Sequence, residues 1–191
     1  MSKSNSGLFS GTNGDKLTRY TRTVGNLRQK IPESDIIASR VAGLDLHEHP
    51  LKYKQLSSKK MKQLSKKVAT RTLTQHEYKS YDSNMRLLKR REKGVDSFWK
   101  QETQRIIAGA PTTRNWSPEQ RNDIIHNRRP KENGKTLQGH HTYSVAKYPH
   151  LANRGEVVFP ATFNEHLYGW HGGNFKKSLP GQPINPSKLR R

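Results

Sequence analysis

Residues 134–174 read GKTLQGHHTYSVAKYPHLANRGEVVFPATFNEHLYGWHGGN, and this segment is the most informative about the fold of the chain. It contains two short segments with strand character, Leu137–Tyr143 and Glu156–Phe159, and Pro160 is expected to end the second. Thr162-Phe-Asn-Glu165 is a capping box, which predicts a helix that ends in the glycine-rich residues 169–173. The predicted order is therefore strand, strand, helix.

The sequence ahead of this stretch has helical spacing and helix-capping residues. The predicted helices begin after Pro32, at Ser57 or Ser58, at the capping box Thr74–Glu77, at Asp96, and at Ser117, which Pro118 follows. Residues 55–127 should be mostly α-helical, so the predicted fold class is α+β, with a helical N-terminal part followed by the strand–strand–helix unit.

These patterns divide the chain into four predicted parts. Residues 1–30 are predicted to form a flexible basic arm. Residues 31–129 are predicted to form a mostly helical part that packs on the strand–strand–helix unit. Residues 130–176 hold the strand–strand–helix unit. Residues 177–191 are rich in proline and are predicted to form an extended C-terminal tail.

The charge of the chain is strongly positive. Its 191 residues include 36 Lys and Arg against 15 Asp and Glu, a formal net charge of +21. Binding to a polyanion is expected, because each neutralised phosphate releases condensed counterions. Nucleic acid is the predicted partner, and an acidic protein could use the same surface.

The composition excludes several classes of protein. Only 30% of the residues are hydrophobic and none is cysteine, so the core is small and disulfides, thiol nucleophiles and cysteine-ligated zinc are excluded. No apolar run is long enough to span a membrane, and the first residues lack the apolar stretch of a signal peptide. A metal would therefore need histidine, carboxylate or amide ligands.

Four histidines form two compact groups, His140-His141 in the first strand and His166 with His171 in the helix and its end. Adjacent strand residues point to opposite faces, so His140 and His141 should divide their roles. His166 and His171 are five positions apart, so in an ideal α-helix they converge only if the helix breaks between them. His47, His49, His76, His126 and His150 are interpreted as structural or surface residues.

Imidazole suits two tasks that phosphodiester hydrolysis requires. Neutral imidazole binds divalent metal ions, and its reference pKa near 6.5 also lets it accept a proton from water. An activated water and a cation beside the phosphate are the two requirements of the reaction. The two histidine groups can supply both.

The sequence resembles a known family at several motifs. These are Thr113-Arg-Asn-Trp-Ser-Pro-Glu-Gln120, the Gly139-His-His141 stretch, Glu156-Val-Val-Phe-Pro-Ala-Thr162 and Glu165-His-Leu-Tyr-Gly-Trp-His-Gly-Gly-Asn174. Together they resemble the GHH branch of the HNH/endonuclease VII (His-Me finger) nucleases. That branch occurs mainly as the C-terminal toxin domain of bacterial polymorphic toxins, including the LXG type exported by type VII secretion.

The resemblance implies roles for individual residues. His141 would be the general base that deprotonates water, and His140, a second catalytic residue, would be a metal ligand. His166 is the best match to a ligand from the finger helix, with His171 the next. The implied cofactor is a divalent metal ion, Mg²⁺ or Zn²⁺, with Mn²⁺ and Ni²⁺ as alternatives.

Other residues near the finger are assigned supporting or phosphate-binding roles. Asn153 and Asn164 are candidates for the asparagine that orients the finger loop in the family, and Glu165 is either a supporting acceptor or only a helix cap. The basic residues that flank the finger are expected to hold phosphates, or to be solvated charge; they are Lys147, Arg154, Lys176 and Lys177.

The predicted function is a metal-dependent endonuclease toxin with little sequence specificity, DNA being favoured over RNA. Two alternatives remain at this point: a ribonuclease toxin, which could work without metal through His140 and His141 as an acid/base pair, and a non-catalytic basic nucleic-acid-binding protein. The resemblance further implies a cognate immunity protein, expected to be acidic. It also implies delivery to a target bacterial cell as part of a larger toxin, with action in the cytoplasm.

Overall fold

The computed structural model describes residues 32–51 and 53–189. This part of the chain is α+β, as predicted: it contains four α-helices, two antiparallel two-stranded sheets and a π-helix. The arm predicted at residues 1–30 lies outside the described residues.

The α-helices begin where the capping residues predict. They are α1 (Glu33–Val41), α2 (Ser58–Ala69), α3 (Gln75–Ile107) and α4 (Pro118–Ile125). Ser57 accepts a hydrogen bond from the first turn of α2. The Thr74–Glu77 and Ser117–Gln120 capping boxes have both of their reciprocal hydrogen bonds. These side chains satisfy backbone N–H groups that have no partner inside the helix.

Helix α3 is one continuous helix of 33 residues, so the prediction of a separate helix from Asp96 is wrong. Gly94 lies in its middle without breaking it. A Cβ atom at this position would come within 2.4 Å of the Ala152 carbonyl oxygen. The glycine therefore lets the backbone of residue 152 approach α3 closely, and the helix continues through it.

Two hairpins follow α4. Strands β1 (Lys131–Glu132) and β2 (Lys135–Thr136) pair around an Asn133-Gly134 turn, which was not predicted although Asn-Gly is a strong hairpin signal. Both turn residues have positive φ, 49° and 74°. Strand β3 (Gln138–His141) pairs with β4 (Val158–Ala161), with His140 opposite Phe159.

The second hairpin has the predicted order but different bounds. The first strand ends at His141 rather than Tyr143. Glu156 lies in a short 3₁₀ turn, Gly155–Val157, so the second strand begins two residues later than predicted. Pro160 lies inside β4 and does not end it, because among the described residues β4 has no partner on its other side, and a proline there loses no ladder hydrogen bond.

The largest core cluster joins α1 to the second hairpin and to the helix that follows. Trp170 is 1% exposed and packs against Phe159 of β4, with ring centroids 5.1 Å apart. The other buried members are Ile37, Val41, Tyr143, Tyr148, Leu151, Val157, Ala161 and Leu189. This packing fixes the two histidine-bearing segments relative to each other.

The C-terminal residues are not extended, contrary to the prediction for 177–191. Within the described part, Asn185 N–H donates to the Gly169 carbonyl, and Leu189 is buried against Gly169. Burial of Leu189 against Gly169, and contact of the half-buried Ile184 with Gly172, explain why the proline-rich sequence folds back.

No helix in residues 32–51 and 53–189 combines the length and the apolar character that a membrane span needs.

Candidate active site

Three of the four predicted histidines lie together. His140 comes from β3, while His166 and His171 come from the π-helix (Glu165–Trp170) and the residue after it. The ring centroids of His140 lie 4.7 Å from His166 and 4.9 Å from His171, and those of His166 and His171 are 5.0 Å apart. One nitrogen from each ring lies within 4.8 Å of the others.

The π-helix explains how histidines five positions apart can converge. The N–H of His171 donates to the carbonyl oxygen of His166 at 3.2 Å, an i→i+5 bond that closes one wide turn. The two residues therefore lie about one turn apart on the same side of the helix. The expectation that the helix must break between them is wrong, because it assumed α-helical geometry.

Hydrogen bonds orient two of the three rings. His166 Nδ1 lies 2.7 Å from Gln138 Oε1, and His171 Nδ1 lies 2.5 Å from the Lys177 carbonyl oxygen. A carbonyl acceptor requires the proton on Nδ1, which leaves the lone pair on Nε2. This is the tautomer and outer hydrogen bonding typical of metal-binding histidines.

Two of the three histidines are uncharged at neutral pH. Burial, helped by the nearby His166 and His171, holds the pKa of His140 well below its ordinary value. Burial, together with the effects of His171 and Arg91, lowers the pKa of His166 to about 4. Neutral imidazoles have the free lone pairs that a metal ion needs.

His141 faces the other side of β3, against α3. Its Nε2 lies 2.9 Å from the Ala152 carbonyl oxygen, so Nε2 carries the proton. Its Nδ1 is buried and has no hydrogen-bond partner among the described residues. Burial lowers the pKa of His141 to about 4, against the hydrogen bond to Ala152. The residue is thus a neutral imidazole whose acceptor nitrogen is buried and has no partner among the described residues.

Arg91 of α3 is a residue of the site that the sequence did not single out. Its charge contributes to the lowered pKa of His140, His141 and His166, so the guanidinium lies within electrostatic range of both histidine groups. Burial lowers its own pKa. Among the described residues it makes no ion pair. In the sequence, only its place in the basic run Lys89-Arg90-Arg91 indicates that Arg91 could bind a phosphate.

The three supporting candidates lie outside the histidine cluster. Glu165 is buried and takes two hydrogen bonds from Arg114, at 2.7 and 3.1 Å, as well as one from the Thr162 N–H. It therefore caps the helix and ties it to the loop before α4. Asn153 accepts a bond from Arg90, and Asn164 is exposed beside Tyr168.

The predicted phosphate-binding residues differ in their surroundings. Lys147 pairs with Glu48 at 2.7 Å, and Arg154 lies 3.9 Å from Glu156. Lys176 and Lys177 are exposed and follow the histidine cluster directly in the chain. Of the four, these two lysines are the free charges nearest in sequence to His171.

A hairpin and a following helix whose histidines meet define a ββα finger with a histidine cluster. Residues 81–161 match the family model of the GHH-signature-containing HNH/Endo VII superfamily nuclease toxins. The family resemblance predicted from the sequence is therefore confirmed. The match includes His140 and His141 and ends before His166, so the grouping of His166 and His171 with them rests on geometry. No curated protein matches the chain.

Proposed function

We propose that the chain is a metal-dependent endonuclease toxin that hydrolyses phosphodiester bonds, with DNA as the favoured substrate. The convergence of His140, His166 and His171 is the observation that carries this proposal. The match to a nuclease toxin family supports the reaction class.

His140, His166 and His171 would hold the metal. Three imidazoles without a carboxylate favour Zn²⁺ or another nitrogen-binding ion over Mg²⁺, which prefers oxygen ligands. The orientation of His166 by Gln138 and of His171 by the Lys177 carbonyl fits such a site. When bound, the ion would stabilise the charge that builds on the phosphate.

His141 would be the general base. The hydrogen bond from Nε2 to the Ala152 carbonyl fixes the ring, and Nδ1 is the nitrogen left to accept a proton from the attacking water. Arg91 would bind the same phosphate, because it is a cation near both groups that no carboxylate neutralises.

The separate roles proposed for His140 and His141 argue against the metal-free ribonuclease. An acid/base pair needs two imidazoles that are both available for proton transfer. His140 lies among the rings of His166 and His171, where it would be a metal ligand, so only His141 is left for proton transfer. RNA nevertheless remains an alternative substrate for the metal-dependent reaction.

The toxin family supports two further parts of the proposal, a cognate immunity protein and delivery to a target bacterial cell. A net charge of +21 favours an acidic immunity protein that covers the surface used by the nucleic acid. Competition between this protein and DNA for the chain is the expected result; simultaneous binding of both would contradict it.

A cleavage assay tests the function. Purified wild-type and His141→Ala protein are incubated with plasmid DNA and with RNA, after EDTA treatment and after addition of Zn²⁺ or Mg²⁺. We expect cleavage by the wild type that needs the metal and falls by at least about 100-fold in His141→Ala. Exposed His126→Ala is the matched control. Binding without cleavage in every condition would instead favour the non-catalytic nucleic-acid-binding protein.

A further inference from the structure

The aromatic residues next to the histidine cluster include two that are open to solvent. Phe163 is 53% exposed and Phe175 is 51% exposed, and their ring centroids are 6.3 Å apart. Phe163 lies in the first turn of the finger helix, and Phe175 follows its glycine-rich end. We call these two residues the phenylalanine pair.

Phe175 borders the proposed metal site directly, and Phe163 lies beside it. The ring centroid of Phe175 lies 5.3 Å from that of His166 and 5.2 Å from that of His171. A phosphate held at this site would place its neighbouring nucleotide beside the pair, because the base is attached only one sugar away from the phosphate.

The surroundings of the pair fit a nucleic acid. Phe175 is followed by Lys176 and Lys177, both exposed, so an aromatic ring and two cations share one short segment. Alternation of aromatic and basic side chains is the pattern of single-strand-binding surfaces, where rings stack on bases and cations hold the backbone.

Most other aromatic side chains in or beside the finger are buried. Trp116, Tyr143, Tyr148 and Trp170 are all less than 9% exposed and belong to core clusters. Tyr168 is 49% exposed, but among the described residues Phe175 is the exposed aromatic ring that contacts His166 and His171, and Phe163 lies next to Phe175.

We propose that Phe163 and Phe175 stack on an unpaired base next to the cleaved phosphodiester, so that the enzyme prefers single-stranded DNA to duplex DNA. In a duplex the bases are stacked on one another, and a ring at the phosphate can reach a base only after it has left the stack. This proposal rests on the proposed nuclease function.

The test compares kcat/KM on a single-stranded oligonucleotide with kcat/KM on the same sequence as a duplex. In Phe163→Leu/Phe175→Leu, which keeps apolar bulk but removes the aromatic faces, the single-strand to duplex ratio should fall about tenfold. Phe163→Tyr/Phe175→Tyr should restore the ratio. Tyr78→Leu, another exposed aromatic far along the chain at the start of α3, is the control.

The possible results separate the two proposals. A wild type that cleaves neither substrate contradicts the nuclease function itself. A wild type that cleaves, with a ratio unchanged in the leucine variant, overturns only the stacking proposal. An equal loss on both substrates also overturns it, since that result would mean the pair merely supports the site.

Discussion

At the scale of single residues, the site depends on side chains whose chemistry is set by burial. His141 and Arg91 lie on different elements, β3 and α3, and neither has a carboxylate partner among the described residues. The sequence predicted His141 because it stands in a recognisable pair. It did not predict Arg91, since one arginine in a helix rich in basic residues has no distinguishing local pattern.

Replacing Arg91 tests its role at the phosphate. We expect Arg91→Ala to lower kcat/KM on DNA by about 100-fold, because a charge-assisted bond to a phosphate is lost at the reacting group. Arg86→Ala, which removes the same charge from an exposed position on α3, should lower kcat/KM by less than about threefold. Equal losses in the two variants would mean that Arg91 contributes only to the general positive field.

The buried histidines predict how the stability of the metal-free protein depends on pH. The pKa of His141 is lowered to about 4 in the folded state, against an ordinary value near 6.5 in the unfolded chain. Between these two pH values the unfolded state binds more protons than the folded state. The contribution of His141 to the free energy of unfolding is therefore fully present above about pH 6.5 and is lost as the pH falls toward 4. His140 and His166 act in the same direction.

The measurement is thermal melting in EDTA between pH 7 and pH 5. His141 alone accounts for a loss on the order of 3 kcal/mol once the pH reaches its folded pKa, so the melting temperature should already fall clearly by pH 5. His126→Ala, an exposed histidine, should melt with the same pH dependence as the wild type. A melting temperature that stays level over this range would show that these histidines are not buried as neutral groups.

At the scale of elements, the finger is held by close backbone contact with α3. Gly94 is the point of contact, because a Cβ there would meet the Ala152 carbonyl oxygen at 2.4 Å and His141 Nε2 at 3.0 Å. The same carbonyl orients the proposed general base. The helix therefore supports both the fold and the geometry of the site.

A glycine-to-alanine change makes this contact testable. In an ordinary helix interior it would stabilise the protein by about 1 kcal/mol. Here we expect Gly94→Ala to destabilise the protein by about 1–3 kcal/mol, because the added methyl group forces the 152 backbone away. Chemical denaturation of Gly94→Ala beside Lys93→Ala, an exposed neighbour, measures the difference. Stabilisation of the glycine variant would contradict the proposed close packing.

The elements also show where sequence reasoning succeeds. Capping boxes at Thr74 and Ser117 predict helix starts correctly, because a cap is a local arrangement of four residues. The continuity of α3 through Gly94 and the π-helical turn between His166 and His171 depend on packing with distant residues, so the local pattern could not specify them. The ββα order was predictable, whereas the way its histidines converge was not.

At the scale of the whole molecule, the main feature is a large positive charge combined with a small hydrophobic core. A formal net charge of +21 with 30% hydrophobic residues leaves a small core and a surface that attracts polyanions. Ion pairs such as Lys147–Glu48 can involve only part of the basic residues, since these outnumber the acidic ones by more than two to one. Long-range attraction should therefore bring nucleic acid to the chain before the finger acts.

Salt dependence measures this contribution. We expect the affinity of His141→Ala protein for a DNA duplex to fall by at least about 100-fold between roughly 50 and 200 mM salt. A decrease of this size corresponds to contacts with about four phosphates, each of which releases counterions on binding. Fluorescence anisotropy at several salt concentrations gives the slope. A decrease of less than about fivefold would mean that few of the exposed lysines and arginines contact the backbone.

If His140, His166 and His171 form one metal site, calorimetric titration of the metal-free protein with Zn²⁺ will detect it. We predict one ion per chain, binding lost in His166→Ala and in His171→Ala, and affinity reduced by about tenfold or more in Gln138→Ala, where only the orienting bond to His166 is removed. Unchanged Zn²⁺ affinity in both histidine variants would contradict the account.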